Sequence, residues 1–169
     1  MRASRKIGRC FAVVISAALL GACSMSRQKP QPAVFTVPAH HKGDINPNDI
    51  LFRAIGLVGT PYRYGGNTPE SGFDCSGLVD YVFRDVAGIT LPRTAHEISE
   101  IDAPQVKRGQ LEAGDLVFFR GTHQVSHIGI FVGRGRFVHA PNEGGTVRLD
   151  YLDTPYWNEH YSGAVRVLL

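Results

Sequence analysis

The sequence is poor in cysteine, in excess charge of one sign and in long apolar runs, and each shortage excludes something. Three cysteines, Cys10, Cys23 and Cys75, are spread over 169 residues. No C-x-x-C or H-E-x-x-H accompanies them, so the short-range zinc motifs are missing. The apolar run from Phe11 to Leu20 is too short to cross a bilayer. Lys and Arg total 18 against 15 Asp and Glu, with no basic stripe of the kind that follows nucleic acid. No internal repeat is present, and the length suits one domain.

The scarce cysteines sit in unequal surroundings. The basic stretch "MRASRKIGRC" and the apolar "FAVVISAALL" precede "LGAC", Leu20 to Cys23. A charged start, a short apolar core and small residues before a cut make a secretory signal. "LGAC" also resembles a bacterial lipobox, which implies removal of residues 1–22 and lipidation of Cys23. The plainer alternative is an ordinary secretory signal with an incidental cysteine. Ser24, where an Asp would retain the protein at the inner membrane, suggests the periplasmic face of the outer membrane in a Gram-negative bacterium. Loss of the leader leaves 14 basic residues against 15 acidic ones, so the basic balance belongs mostly to the leader. Residues 23–46, with Pro30, Pro32 and Pro38, read as a tether. At about 3.1 Å per residue it would reach roughly 60–70 Å. His40 and His41 within it read as solvated rather than metal-binding. Cys75 is then the single free thiol, without an intramolecular partner, in an oxidising compartment.

The domain is expected over residues 47–169. Asn46 with Pro47 opens a helix whose inner stripe reads as Ile50, Leu51, Ala54, Ile55 and Val58, with Gly59 ending it. Residues 60–74 read as a loop. A second helix runs from Cys75 to about Val86 and stops at Gly88, and "TAHE", Thr94 to Glu97, matches a capping box. After Gly114 the texture changes to short β-branched or aromatic runs: "DLVFFR", "HIGIFV", "RFVHA", "TVRLD" and "AVRVLL". Helices first and an antiparallel sheet second define an α+β class.

Asp74 is a plausible N-cap, which places Cys75 in the first turn of its helix, where the helix dipole favours a thiolate. A buried, inert cysteine is the alternative. A nucleophile needs a base, and a base needs an orienting group. A three-residue loop Gly133-Arg134-Gly135 would pair Val132 with Arg136, Phe131 with Phe137 and Gly129 with His139. In that register His127 and His139 share one face, with Gly129 leaving room for the His139 ring. A plain two-residue loop would separate them. His123 reads as a solvated loop residue, and His96 and His160 have no nameable partner. Cys75, His127 and His139 are also a conceivable zinc set, but without a matching motif no metal or other cofactor is expected.

The ordered motifs "TPYRYGG", "DCSGLV", "LPRTA", "GDLVFF", "HIGIFVG" and "FVHA" resemble the NlpC family of bacterial cell-wall cysteine peptidases over about residues 50–169, and "PYW" near the end resembles its outer-membrane lipoprotein members. The resemblance implies a minimal papain-like fold and cleavage of peptidoglycan stem peptides. It places the nucleophile on Cys75, the base on His127 and the third polar residue on His139. It places Tyr62 at the cleft, with Asp74 and Ser76 on substrate-contacting positions. Plainer roles stay open: Tyr62 as packing, Asp74 as a cap only, Ser76 as a partner of that turn. Arg93, Thr94 and Asp115 read as structural. The bond expected is the D-alanyl-meso-diaminopimelate cross-link, because these residues leave none over for a second domain to close the cleft. A γ-D-glutamyl-diaminopimelate endopeptidase, a non-catalytic wall-binding lipoprotein and an acyltransferase or amidase are the alternatives. A regulatory protein partner is left open.

Overall fold

The computed structural model describes residues 45–168. The expected signal segment, Cys23 and nearly all of the expected tether lie outside the described residues. α1 (Pro47–Gly56) begins where its sequence demands. The Asn46 side chain accepts from the Asn48 N–H at 2.9 Å, Asp49 accepts from the Asn46 N–H at 3.3 Å, and Pro47 stands where no N–H is needed. Its inward residues are Ile50, Ala54 and Leu57, all buried, whereas Ile55 and Val58 are 39% and 43% exposed. The expected stripe through Ile55 and Val58 is therefore corrected. The helix ends at Gly56, and the buried positions follow i, i+4, i+7 from Ile50.

α2 (Cys75–Ala87) buries Leu78, Val79, Val82 and Phe83 completely and closes on Gly88, whose left-handed φ of 66° disfavours a side chain. α3 (Ala95–Ser99) carries the Thr94–Glu97 capping box. The loop ahead of α2 is folded back on itself. β1 (Asn67–Thr68) pairs with β2 (Gly72–Phe73), and Pro61 and Tyr62 bridge to Thr146 and Phe73.

The second half forms one antiparallel sheet of β3 (Leu116–Arg120), β4 (Val125–Gly133), β5 (Arg136–His139), β6 (Arg148–Tyr151) and β7 (Tyr161–Val165), in spatial order β6-β5-β4-β3-β7. A short helix, α4 (Pro155–His160), intervenes before β7 at the "PYW" segment, where the sequence pattern shows no helix. Alternation along the strands divides the apolar residues between two faces. Leu116, Phe118, Ile128, Ile130 and Val138 join the helices in the main core. Val117, Phe119, Phe131 and Phe137 form a smaller cluster with Leu152, Ala164 and Trp157 on the other face. The α+β class and the order of layers are those the sequence predicts.

The β4–β5 hairpin differs in detail from expectation. Gly133 pairs with Arg136, and Arg134 and Gly135, both at positive φ (52° and 69°), form a two-residue turn. The expected Val132–Arg136 pair does not form. A bulge between Phe131 and Gly133 adds one residue to β4, so Phe131 still faces Phe137. The bulge replaces the three-residue loop and keeps the same parity, so His127 and His139 remain on one face. Gly129 is the close-approach point of this pair. A Cβ there would lie 2.6 Å from the Phe137 ring and 2.9 Å from the Val138 carbonyl. Gly129→Ala is expected to lose about 1–3 kcal/mol of stability by overpacking, read as a lower urea midpoint at constant slope. An unchanged midpoint would refute this packing.

Candidate active site

Two structural units meet at the site. The first is the start of α2. Asp74, at the N-cap, accepts from the Gly77 N–H through Oδ1 at 2.7 Å and from the Gly65 N–H through Oδ2 at 2.9 Å. One carboxylate thus ties the helix to the preceding loop. That loop lies so close to the first turn that a Cβ on Gly77 would fall 2.1 Å from the Gly66 carbonyl oxygen. Arg93, between α2 and α3, donates from both terminal nitrogens to the two Asp74 oxygens, at 3.0 and 2.5 Å, and to the Ser76 hydroxyl at 2.8 Å. Ser76 in turn donates to the Arg93 carbonyl at 2.7 Å. Asp74 and Ser76 are buried within this cluster, and the group that reaches solvent is the Arg93 side chain, 47% exposed.

The second unit is the sheet. His139 is 0% exposed, so both ring nitrogens need protein partners. Its Nε2 lies 3.0 Å from Asp150 Oδ2 and its Nδ1 lies 2.8 Å from His127 Nε2. The same Asp150 oxygen accepts from Trp157 Nε1 at 2.9 Å and from Arg148 at 3.0 and 3.1 Å. Burial raises the Asp150 carboxyl, but the bonds from Trp157, Arg148 and His139 outweigh it and hold it below the usual carboxylate range. Asp150 is therefore an ionised acceptor. That fixes the tautomers in sequence. His139 Nε2–H donates to Asp150, His139 Nδ1 accepts from His127 Nε2–H, and His127 Nδ1 keeps its lone pair. The indole of Trp157 stacks on the His127 ring, centroids 5.4 Å apart at 24°.

Charge at Cys75 and His127 is set chiefly by burial. Desolvation, with help from the His139 and Arg148 charges, lowers His127 to about 3. Desolvation lowers His139 to about 4 against the pull of Asp150. Burial and then the Asp74 charge push the Cys75 thiol up, beyond what the N–H groups of Ser76, Ile128 and Cys75 itself recover. The helix start favours a thiolate, whereas burial and the Asp74 charge act against one. Both shifts favour the uncharged thiol–imidazole pair at rest. The Ile128 N–H beside the thiol also places Cys75 against the strand carrying His127. Tyr62 is raised by burial and by the Cys75 and Asp74 charges, so its hydroxyl stays a donor.

Cys75, His127, His139, Tyr62, Asp74 and Ser76 thus fall in or beside these two units. His123 lies exposed in the β3–β4 turn, and His96 sits 3.6 Å from Glu100. His160 accepts no role in the relay and stacks on Tyr156, centroids 4.3 Å apart. Arg93 is a hub of the first unit, beyond the structural role its sequence position suggests. Asp150, Arg148 and Trp157 carry no signal in the pattern alone. The loop between β5 and β6 leaves their register open, and only the His139–Arg148 and Phe137–Asp150 pairing brings Asp150 to the relay.

Residues 59–166 match the NlpC/P60 family. The chain is 46% identical over 114 residues to the murein DD-endopeptidase MepH of Escherichia coli K12, covering 66% of this chain and 42% of that protein. It is 42% identical over 114 residues to the bifunctional muramidase/DL-endopeptidase CwlT of Bacillus subtilis, covering 66% of this chain and 33% of that one. It spans less than half the length of either. A solved NlpC/P60 family protein from Bacillus cereus superposes with a TM-score of 0.69 at 32% identity, covering 75% of this chain and 42% of that one.

The relay makes Asp150 the origin of the tautomer order. Asp150→Asn is expected to lower turnover of a cell-wall peptide about 100-fold or more, as when the carboxylate of a triad is amidated. Ring ¹⁵N NMR should find the His127 proton on Nε2 in the parent protein and a mixture of tautomers in the variant. Unchanged turnover with an unchanged His127 tautomer would remove Asp150 from the relay.

Proposed function

The chain belongs to the NlpC/P60 family, and on that premise we propose that it is a peptidoglycan hydrolase, a cysteine endopeptidase that cuts stem-peptide amide bonds. The observation that carries the reading is the Asp150–His139–His127 relay ending in a free Nδ1, beside a helix-start cysteine. His127 Nδ1 removes the Cys75 proton as the sulfur attacks the amide carbonyl. The Cys75 N–H and the Tyr62 hydroxyl stabilise the oxyanion. The imidazolium, ordered by His139 and stacked on Trp157, then returns its proton to the leaving amine. Water, deprotonated by the same nitrogen, releases the acyl half and restores the thiol.

The bond favoured is the D-alanyl-meso-diaminopimelate cross-link. Recognition of a free N-terminal amine would need open acceptors on Asp74 or Ser76. Here Gly65, Gly77 and Arg93 already occupy both Asp74 oxygens, and Arg93 brings a positive charge that repels an ammonium. A stem peptide still joined to its glycan has no such amine to place. The name of one relative, a DL-endopeptidase, keeps the γ-D-glutamyl-diaminopimelate bond as the second reading. Purified muropeptides digested by the soluble domain separate the two. Dimers should fall to monomers, and Cys75→Ser should abolish this by more than about 1,000-fold with the fold retained. Release of L-alanyl-γ-D-glutamate with dimers intact would reverse the assignment, and an active Cys75→Ser would end the mechanism.

The proposal extends to location. "LGAC" and the proline-rich segment after it support a lipid anchor on Cys23 at the periplasmic face of the outer membrane, with enough reach to address cross-linked wall. Cys23→Ser is expected to move the protein into the soluble periplasmic fraction with unchanged turnover in vitro. A variant that still sediments with membranes would refute the anchor.

A further inference from the structure

The strand that pairs with the catalytic strand ends in a cation that no protein group neutralises. Arg120 is exposed, and among the described residues its side chain makes no ion pair or hydrogen bond; Arg63, Arg134 and Arg136 share that lack but do not line the cavity beside His127, whereas Arg53, Arg84, Arg93, Arg108, Arg148 and Arg166 each bond an oxygen of the protein. Its placement follows from a second bulge. Phe119 pairs with His127 and Arg120 with Val125, which leaves Ser126 as the extra residue. The result is an open cavity of about 380 Å³ whose wall includes Arg120, Ser126, His127, Tyr156, Trp157 and His160, and no Asp or Glu.

The half of a substrate that enters this cavity is set by chemistry. The imidazole that protonates a departing amine must stand beside it. His127 lines the cavity, whereas Cys75 and Tyr62, which hold the acyl carbon and its oxyanion, do not. The leaving half therefore lies here. In a D-alanyl-diaminopimelate cross-link the departing nitrogen sits on a carbon that also bears a free carboxylate. In a γ-D-glutamyl-diaminopimelate bond the carboxyl on the corresponding carbon is already consumed in the next amide. A lone guanidinium is a fork that fits a carboxylate with two parallel N–H bonds.

We propose that Arg120 binds the carboxylate carried by the carbon attached to the departing nitrogen, and so selects the cross-link over the γ-D-glutamyl bond. The exposed ring of Tyr156 and the half-buried ring of His160, stacked on each other, form the floor along which the rest of the leaving stem peptide lies. This rests on the cross-link reading above and adds its specificity residue.

The test uses cross-linked dimer muropeptides with that diaminopimelate carboxylate either free or amidated, and the parent, Arg120→Gln and Arg120→Lys proteins. The parent should cleave the free form with kcat/KM about 10- to 100-fold above the amidated form, the range of a charge-assisted bond. Arg120→Gln should lose most of that preference while staying within about three-fold of the parent on the amidated dimer. Arg120→Lys should keep part of it. A parent indifferent to amidation overturns the proposal and leaves the cross-link reading standing. An Arg120→Gln protein impaired equally on both dimers, with an unchanged melting temperature, also overturns it. Release of L-alanyl-γ-D-glutamate with both dimers intact overturns the proposal together with the reading beneath it.

Discussion

The rest of the site depends on the burial of His139. A fully enclosed imidazole must match one donor and one acceptor to protein groups, or lose on the order of 1–3 kcal/mol for each unmatched nitrogen. Asp150 supplies the acceptor and His127 the donor, and with these two bonds made only one arrangement of protons remains. Gly129 is required because any side chain there would strike the Phe137 ring packed beside His139. Trp157 is required because its indole N–H shares the load on Asp150 while its face supports His127. Arg148, paired across the strands with His139, balances the Asp150 charge. The tautomer of His127 is thus set through residues from three separate elements.

Cys75 is held by a different device. Asp74 is at once the helix cap, the anchor of the glycine loop and the partner of Arg93. Burial raises its carboxyl, but the bonds from Arg93, Gly77 and Gly65 hold it below the usual range, so the cluster stays charged at neutral pH. The negative charge so fixed beside Cys75 works against ionising the thiol. The N-cap that starts α2 therefore acts in the same direction as burial, which is the larger influence on the thiol.

The sheet unites the two devices by having two unlike faces. One face carries the large core shared with α1, α2 and α3 and so fixes where Cys75 stands. The other carries the small aromatic cluster against which His127, His139 and Trp157 are arrayed. Bulges at Ser126 in β4 and between Phe131 and Gly133, and a third in β7 opposite Phe118 and Phe119, adjust the strands, the first of them next to His127. Pairing is regular between these points, so each distortion is local and the core is preserved.

Signals contained within a few residues were readable in advance. The Asn46–Pro47 start, the Thr94–Glu97 box, the Asp74 cap and the Gly88 stop each act over one helical turn, and strand alternation acts over two positions. These determined the α+β class, the helix starts and the candidates Cys75, His127 and His139. The inner stripe of α1 was misread by one step because its last turn ends early, and the hairpin was misread because a loop residue and a bulge residue give the same parity. What only the tertiary structure decided lies across longer separations: the register of β6 that brings Asp150 to His139, the approach of Trp157 from α4, the pairing of Arg93 with Asp74, and a cavity wall at Arg120 that, among the described residues, holds no acid. The physical reason is the same in each case. A cap or a turn is stabilised by its own neighbours, whereas these contacts join segments whose relative placement is set by the packing of both faces of the sheet. The direction of the Cys75 and His127 shifts belongs with them, since desolvation exists only once the surrounding chain has closed over the group.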